Sequence, residues 1–204
     1  MENPSSPFHG MDPLDVRYAD GALTAAGRTV GFGELLEATS TSAVEATEGV
    51  GFGADQEGFA FYSFGAHFCE VRVNRWTGEP RLSRFTTVVD AGLIVNPKTA
   101  ASQIVGGAIF GIGQALLEGI QMEPATGRFA NANLAEYLLP VNADVPPIDV
   151  HFVQYPDTAF NSAGVRGIGE LGTVGSAAAI ANAVFNATGR RVRDLPITLD
   201  KLLQ

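Results

Sequence analysis

The amino-acid sequence predicts an α+β fold in which a mixed sheet with an antiparallel hairpin packs against helices rich in glycine and alanine. Polar and apolar residues alternate over 67–76, the turn Thr77-Gly-Glu-Pro80 follows, and 81–89 returns as a second strand, which together predict the hairpin. Two segments without charge, 99–117 and about 173–188, predict the packed helices. Strands and helices are mixed along the chain, as is typical of the α+β class.

Shorter elements precede the hairpin. The segment Asp15 to Leu23 predicts two strands that meet at a tight Asp-Gly turn, and Gly31 to Ala38 predicts a short helix. Residues 44–58 are rich in glycine and acidic side chains, which predicts an exposed loop. We therefore divide the chain into a lead-in, residues 1–49, and a main part, residues 50–204.

The uncharged segment 99–117 has the length of a membrane span and contains small residues at a helix-packing spacing. Polar side chains inside it, and ends without aromatic or basic belts, favour a helix buried in a protein core instead. The N-terminal residues Met1 to Pro7 have neither a basic start nor an apolar core, so they do not predict a signal peptide. We expect a cytoplasmic or periplasmic protein.

The predicted helix over 99–117 is unusual in its glycine content. Pro97 stands near its first turn, where the missing N–H of proline costs nothing. Each glycine inside a helix costs up to about 1 kcal/mol relative to alanine. Other groups are therefore expected to approach the helix closely at its glycines, which are Gly106, Gly107, Gly111 and Gly113.

Composition excludes several classes of function. The formal net charge is −9, whereas a nucleic-acid-binding surface is basic. A single cysteine, Cys69, rules out an intrachain disulfide, and three histidines without ligand-like spacing predict no metal site built from protein side chains. Charged residues make up only 17% of the chain, against about 25% in ordinary soluble domains. This shortage predicts either a surface that packs against more protein or a compact domain rich in alanine and glycine.

The glycine-rich segment Gly164-Val-Arg-Gly-Ile-Gly-Glu-Leu-Gly-Thr173 is the strongest candidate for chemistry. Glycine lets a carboxylate, here Glu170, approach a bound ligand closely, and a helix entrance favours anionic ligands. The glycines of Gly167-Ile-Gly-Glu-Leu-Gly172 also match the dinucleotide fingerprint of Rossmann folds, which needs a strand ending at the first glycine. The nearest strand-like run stops at Pro156, so a Rossmann-type module is the weaker alternative.

Several motifs follow one another along the chain: Glu70-Val-Arg-Val, Thr77-Gly-Glu79, Asp90-Ala-Gly92 with Asn96-Pro97, Gln103-Ile-Val-Gly-Gly107, Tyr137 with Pro140, and Gly167-Ile-Gly-Glu170. In this order, from about Val50 onward, they resemble the C-terminal part of the molybdenum-binding subunit of the xanthine dehydrogenase and aldehyde oxidase family. The tail Arg191 to Leu199 is similar to the bacterial aldehyde oxidase branch. An ordered set of motifs is far more specific than any one of them alone.

The resemblance implies a catalytic role for Glu170. In the family, the matching glutamate is the general base that acts on a water-derived oxygen as this oxygen attacks the carbon of an aldehyde or an N-heterocycle. A carboxylate can serve in this way when its surroundings raise its pKa. The alternative interpretation is a carboxylate placed at a helix N-terminus by the helix dipole, and a non-catalytic remnant of the family would retain the fold alone.

The resemblance also implies that Gln103 hydrogen-bonds the pterin of the cofactor, because an amide both donates and accepts, as a pterin edge requires. Gly106 and Gly107 beside it are expected to let the cofactor or neighbouring backbone come near, and Gly167 and Gly169 are expected to line the cofactor site. The alternative for Gln103 is a buried side chain bonded to the main chain.

The implied cofactor is molybdenum with molybdopterin, in its cytosine dinucleotide form, while iron–sulfur clusters and FAD lie on partner chains or domains. In the family the molybdenum subunit is several times longer than these 204 residues. We therefore expect a segment of a larger enzyme that is inactive in isolation. Its expected partners are the remaining segments of the molybdenum subunit and the iron–sulfur and FAD subunits, with neither nucleic acid nor membrane among them.

Overall fold

A computed structural model describes residues 2–45, 47 and 58–203, in two compact units, Met1–Gly51 and Phe52–Gln204. Each unit has a hydrophobic cluster of its own. Most of the loop predicted over 44–58 lies outside the described residues.

The first unit is a three-stranded antiparallel sheet followed by a helix: β1 (Arg17–Ala19), β2 (Ala22–Ala25), β3 (Arg28–Gly31) and α1 (Phe32–Ala38). Both hairpin turns, Asp20-Gly21 and Ala26-Gly27, have positive φ at their two central residues, the backbone of a type I′ turn. The predicted first hairpin and helix are confirmed. The third strand was not predicted, because alanine at position 26 gives no turn signal.

The second unit contains the strands β4 (Phe64–Val73), β5 (Pro80–Asp90), β6 (Met122–Glu123), β7 (Arg128–Phe129) and β8 (Ile148–Val153). Strand β5 pairs antiparallel with β4 and parallel with β8, so the main sheet is mixed, as predicted. Along β4, Cys69, Val71 and Val73 pack against the core while Glu70 and Arg72 are exposed. The small β6–β7 hairpin was not predicted.

The helices of this unit are α2 (Pro97–Leu116), α3 (Leu171–Val174), α4 (Ser176–Thr188) and α5 (Leu199–Leu202). The side chain of Asn96 caps α2 by accepting from the N–H groups of Lys98 and Thr99, and Pro97 occupies the first turn. Apolar side chains of α2, α4 and α5 bury Phe85 of the sheet in one cluster. Among the described residues, no helix combines the length and hydropathy of a membrane span.

Helix α2 meets α3 and α4 through glycine, as its composition predicts. A side chain at Gly107 would lie 2.9 Å from the Cα atom of Gly172, and one at Gly111 would overlap the side chain of Ser176. At Gly106, by contrast, a Cβ atom would meet no other group within 4 Å. The close approach therefore explains Gly107 and Gly111 but not Gly106.

We expect Gly111→Ala to lower the free energy of unfolding by about 1–3 kcal/mol, because the added methyl group overpacks the contact with Ser176. The control is Gly106→Ala, which adds the same methyl group to the same helix in open space and should raise stability by up to about 1 kcal/mol. Denaturant titration of both variants measures the difference. Equal stability of the two variants would contradict the packing described for α2.

The segment between β8 and α4 corrects two predictions. A single helix was expected from about 173 to 188, whereas α3 ends at Val174 and Gly175 separates it from α4. No strand is described between β8 and α3, apart from an isolated bridge of Val165 with Gly92. Gly167 therefore does not end a strand, and the Rossmann interpretation is wrong.

Candidate functional site

A groove of about 530 Å³ lies beside the glycine-rich loop. Strands β5 and β8 are parallel and end in register at Asp90 and Val153, and the loop 164–170 returns to this edge to bridge the residues after β5. The end of parallel strands is where ligand crevices form in sheets with helices. Three segments line the groove: Leu93 to Asn96 after β5, Thr99, Ala100 and Gln103 on α2, and Val165, Arg166, Ile168 and Gly169 in the loop.

Arg166 fastens the loop to the sheet edge. Its guanidinium lies 2.7 Å from a carboxylate oxygen of Asp90, the last residue of β5, and 2.7 Å from one of Asp157, shortly after β8. All three side chains are largely buried, with 12–15% of their surfaces exposed. The sequence alone did not predict this cluster, because Asp157 lies 67 residues after Asp90 and 9 residues before Arg166. Only the parallel pairing of β5 with β8 brings the two carboxylates together.

The Arg166 cluster is not fully satisfied. The contact of Nη2 with Asp90 has the distance of an ion pair but not the alignment of a hydrogen bond, and Nε has no acceptor among the described residues. Two carboxylates against one guanidinium also leave a formal charge of −1 in a largely buried place. An unsatisfied buried donor beside a groove is expected where a ligand supplies further acceptors.

Gln103 lies on the exposed side of α2, and its Nε2 donates to the main-chain oxygen of Gly169 at 2.8 Å. The predicted alternative, a bond to the main chain, is therefore present, although the side chain is exposed rather than buried. Gln103 lines the groove and no described residue donates to its amide oxygen, so one half of the amide remains for a ligand.

Glu170 is the residue that caps α3, directly after Gly169, and its side chain is exposed. This carboxylate makes no hydrogen bond to the N–H groups of α3, although its place at the helix N-terminus is the one that the dipole alternative expected. Glu170 is thus the next residue in the chain after Gly169, which lines the groove.

The predicted glycines fall into two groups. Gly167 and Gly169 are exposed, and a Cβ atom at either would meet nothing within 4 Å, so a ligand has access to their main chain. Gly107 is buried against Gly172 and serves the contact between helices. Gly106 is open but does not line the groove. Their roles toward a cofactor stay predictions.

Protein side chains offer little for direct metal binding. Among the described residues, no three His, Cys, Asp or Glu side chains come together as a metal site. Burial raises the pKa of Cys69 to about 11, so this thiol is protonated at neutral pH and is a poor ligand.

Fold and groove together define an α+β domain with an open groove at the ends of its parallel strands. The sequence profile of the molybdopterin cofactor-binding domain family matches residues 1–146. The aldehyde oxidoreductase molybdenum-binding subunit PaoC of Escherichia coli (strain K12) is 44% identical over 194 residues, which are 95% of this chain and 26% of that protein. The xanthine dehydrogenase molybdenum-binding subunit of Escherichia coli O157:H7 is 35% identical over 144 residues, or 70% of this chain and 19% of that protein.

The chain therefore belongs to the molybdopterin cofactor-binding domain family, as a segment of the aldehyde oxidoreductase and xanthine dehydrogenase type. It spans about a quarter or less of the length of these relatives. The sequence-based recognition of the family is confirmed.

Solved structures agree on the fold. Quinoline 2-oxidoreductase from Pseudomonas putida 86 superimposes with a TM-score of 0.75 at 25% identity, over 94% of this chain and 25% of that chain. The aldehyde oxidoreductase from Desulfovibrio desulfuricans does so with a TM-score of 0.64 at 31% identity, over 71% of this chain and 16% of that chain. The predicted α+β class is confirmed.

Proposed function

We propose that the chain forms part of the cofactor site of a molybdenum hydroxylase that oxidises an aldehyde or an N-heterocycle, with Glu170 as general base. The observation that carries the proposal is the bond from Gln103 to Gly169, because it sets the groove wall directly beside Glu170. The family profile ends at residue 146, so the role of Glu170 rests on this placement and on the local motif.

The residues of the groove fit a pterin cofactor. A pterin edge needs both donors and acceptors, and the groove wall offers the side-chain amide of Gln103 and the main chain of Gly169. The open main chain of Gly167 lies next to this wall in the same loop. We propose that these residues hold it, in its cytosine dinucleotide form, together with further segments of the same subunit.

When bound, the molybdenum cofactor accepts the two electrons released by the substrate. The chain itself supplies the base: the carboxylate of Glu170 takes the proton from a water-derived oxygen as that oxygen bonds to the substrate carbon. Iron–sulfur and FAD subunits would carry the electrons onward, and relatives named as subunits support a larger assembly. We propose this activity for the assembled enzyme and not for the isolated chain.

The decisive experiment purifies the assembled enzyme and combines elemental analysis for molybdenum with turnover in ¹⁸O-labelled water. We expect bound molybdenum and one labelled oxygen atom in the carboxylate or hydroxylated product. A protein that contains no molybdenum, or a product whose new oxygen comes from O₂, would refute the proposal. Molybdenum without turnover of any aldehyde or N-heterocycle would indicate a non-catalytic remnant of the family.

Gln103→Ala is expected to lower bound molybdenum per protein about twofold to tenfold, because the lost hydrogen bond is worth about 0.5–1.5 kcal/mol. The control is Ser102→Ala, the neighbouring exposed residue of α2, which does not line the groove. Both variants are compared with the unmodified enzyme under limiting molybdate. Full molybdenum content in Gln103→Ala would remove this residue from the cofactor site.

A further inference from the structure

The imidazole of His67 lies between the main sheet and helix α3. His67 on β4 and Thr87 on β5 are directly opposite each other in the antiparallel pair, and Nδ1 of the imidazole lies 2.8 Å from the hydroxyl oxygen of Thr87. The side chain of Thr87 is completely buried, so its hydroxyl needs a partner inside the protein. The sheet therefore fixes one edge of the imidazole ring.

The other edge of the ring faces α3. Gly175 lacks a side chain at the place where Cδ2 and Nε2 of the ring lie, and the main chain of Leu171 acts on the ring as a hydrogen-bonding group that raises the pKa of His67. Because Nδ1 is engaged by Thr87, Nε2 is the nitrogen left for Leu171. Burial lowers the pKa of His67 below its ordinary value of 6.5, and the bond to Leu171 acts in the opposite direction.

A neutral imidazole has one donor and one acceptor, and the two partners of His67 match this pair. The hydroxyl of Thr87 can donate to Nδ1, and the N–H at Nε2 can donate to the main chain of Leu171. The bond to Leu171 favours the protonated ring, which is the sign expected when the ring is the donor. Both ring nitrogens are thus used in holding α3 against the sheet.

Leu171 follows Glu170 directly, and Gly169, which precedes Glu170, accepts the bond from Gln103. The main chain on both sides of Glu170 is therefore held by side chains from other elements, whereas the carboxylate makes no capping bond. We propose that His67 is a positioning residue for Glu170, acting through Leu171; this inference rests on the proposed role of Glu170 as general base. Neither the motifs nor the similarity to relatives assigns a role to His67.

Two substitutions of His67 separate its two bonds. Asparagine places a side-chain amide near the position of Nδ1, so His67→Asn can keep the bond to Thr87 but does not reach Leu171. Glutamine places its amide near the position of Nε2, so His67→Gln can keep the bond to Leu171. His151→Asn, at an exposed histidine of β8 in the same sheet, is the matched control.

In the assembled enzyme, we expect His67→Asn to lower kcat about tenfold to a hundredfold at little change in KM and with normal molybdenum content, because a misplaced base slows the reaction without weakening binding. His67→Gln should recover most of this loss. Hydrogen exchange of the main-chain amides over 168–174 should be faster in His67→Asn than in His67→Gln and His151→Asn. If His67 only filled space, the two substitutions would change kcat and the hydrogen exchange over 168–174 to the same extent.

Equal kcat and equal exchange over 168–174 in the two variants would overturn the proposal. The exchange measurement does not depend on catalysis, so it tests the contact with α3 even if the unmodified enzyme proves not to be a molybdenum hydroxylase. If neither variant accumulates as folded protein, Thr87→Val keeps the imidazole and removes only its partner hydroxyl. Faster exchange over 168–174 in that variant supports the proposal, and unchanged exchange contradicts it.

Discussion

Replacing Glu170 by glutamine is expected to lower turnover by about two to four orders of magnitude while molybdenum content stays normal. Glutamine keeps the size of the side chain but cannot take a proton, and loss of a general base has an effect of this size. The carboxylate is exposed and has no capping bond, so the substitution removes no structural contact that the structure describes. A decrease in kcat without loss of cofactor would therefore identify a chemical role.

Steady-state kinetics of the assembled enzyme with an aldehyde and a dye acceptor measure this effect. Glu123→Gln, at an exposed glutamate of the β6–β7 hairpin, is the control for the loss of one negative charge. Glu170→Asp keeps the carboxylate but withdraws it by one methylene, and we expect a smaller decrease than with glutamine. Turnover of Glu170→Gln at the level of the unmodified enzyme would exclude Glu170 from the mechanism.

Replacing Arg166 by leucine is expected to lower the free energy of unfolding by about 3–5 kcal/mol. The substitution leaves Asp90 and Asp157 without their shared cation in a largely buried place, and breaking a buried ion pair by removing one partner has a cost of this order. The control is Arg84→Leu. Arg84 also pairs with an aspartate at 2.7 Å, Asp149, but both side chains are well exposed, so we expect a loss of at most about 1 kcal/mol.

Denaturant titration of the two arginine variants, with Asp157→Asn added to Arg166→Leu, completes this test. The added substitution removes one of the two carboxylates that have lost their partner, so the double variant should recover part of the lost stability. If Arg166→Leu lowers the free energy of unfolding by no more than Arg84→Leu does, the Arg166 cluster does not stabilise the loop. If the double variant is less stable still, repulsion between the carboxylates is not the cause of the loss.

Local signals in the sequence predicted the elements whose partners lie nearby in the chain. The β4–β5 hairpin and the start of α2 at Pro97 depend on neighbours within a few residues, and both are found as predicted. Strand β3 was missed because Ala26 occupies a turn position that usually belongs to glycine or asparagine. Gly175, at the break between α3 and α4, lies against the ring of His67, and the helical pattern of the sequence does not show this distant contact.

The candidate site was predictable in part for the same reason. The glycine-rich loop and Gln103 stand out as motifs, and the structure joins them through Gly169. Arg166 with its two carboxylates could not be found, since the parallel pairing of β5 with β8 spans about sixty residues of intervening chain. A charged residue within a glycine-rich loop was the one available signal for Arg166.

The contact of Gly107 with Gly172 joins α2 to α3 through main-chain atoms, with no side chain between them. A second link, from the hydroxyl of Thr173 to the main-chain oxygen of Gly107, lies at the same place. The spacing of the two helices is thus set by backbone geometry and not by side-chain rotamers. Groove residues such as Leu93 and Val95 are exposed and take no part in this contact, so substitutions there should leave the spacing of the two helices unchanged.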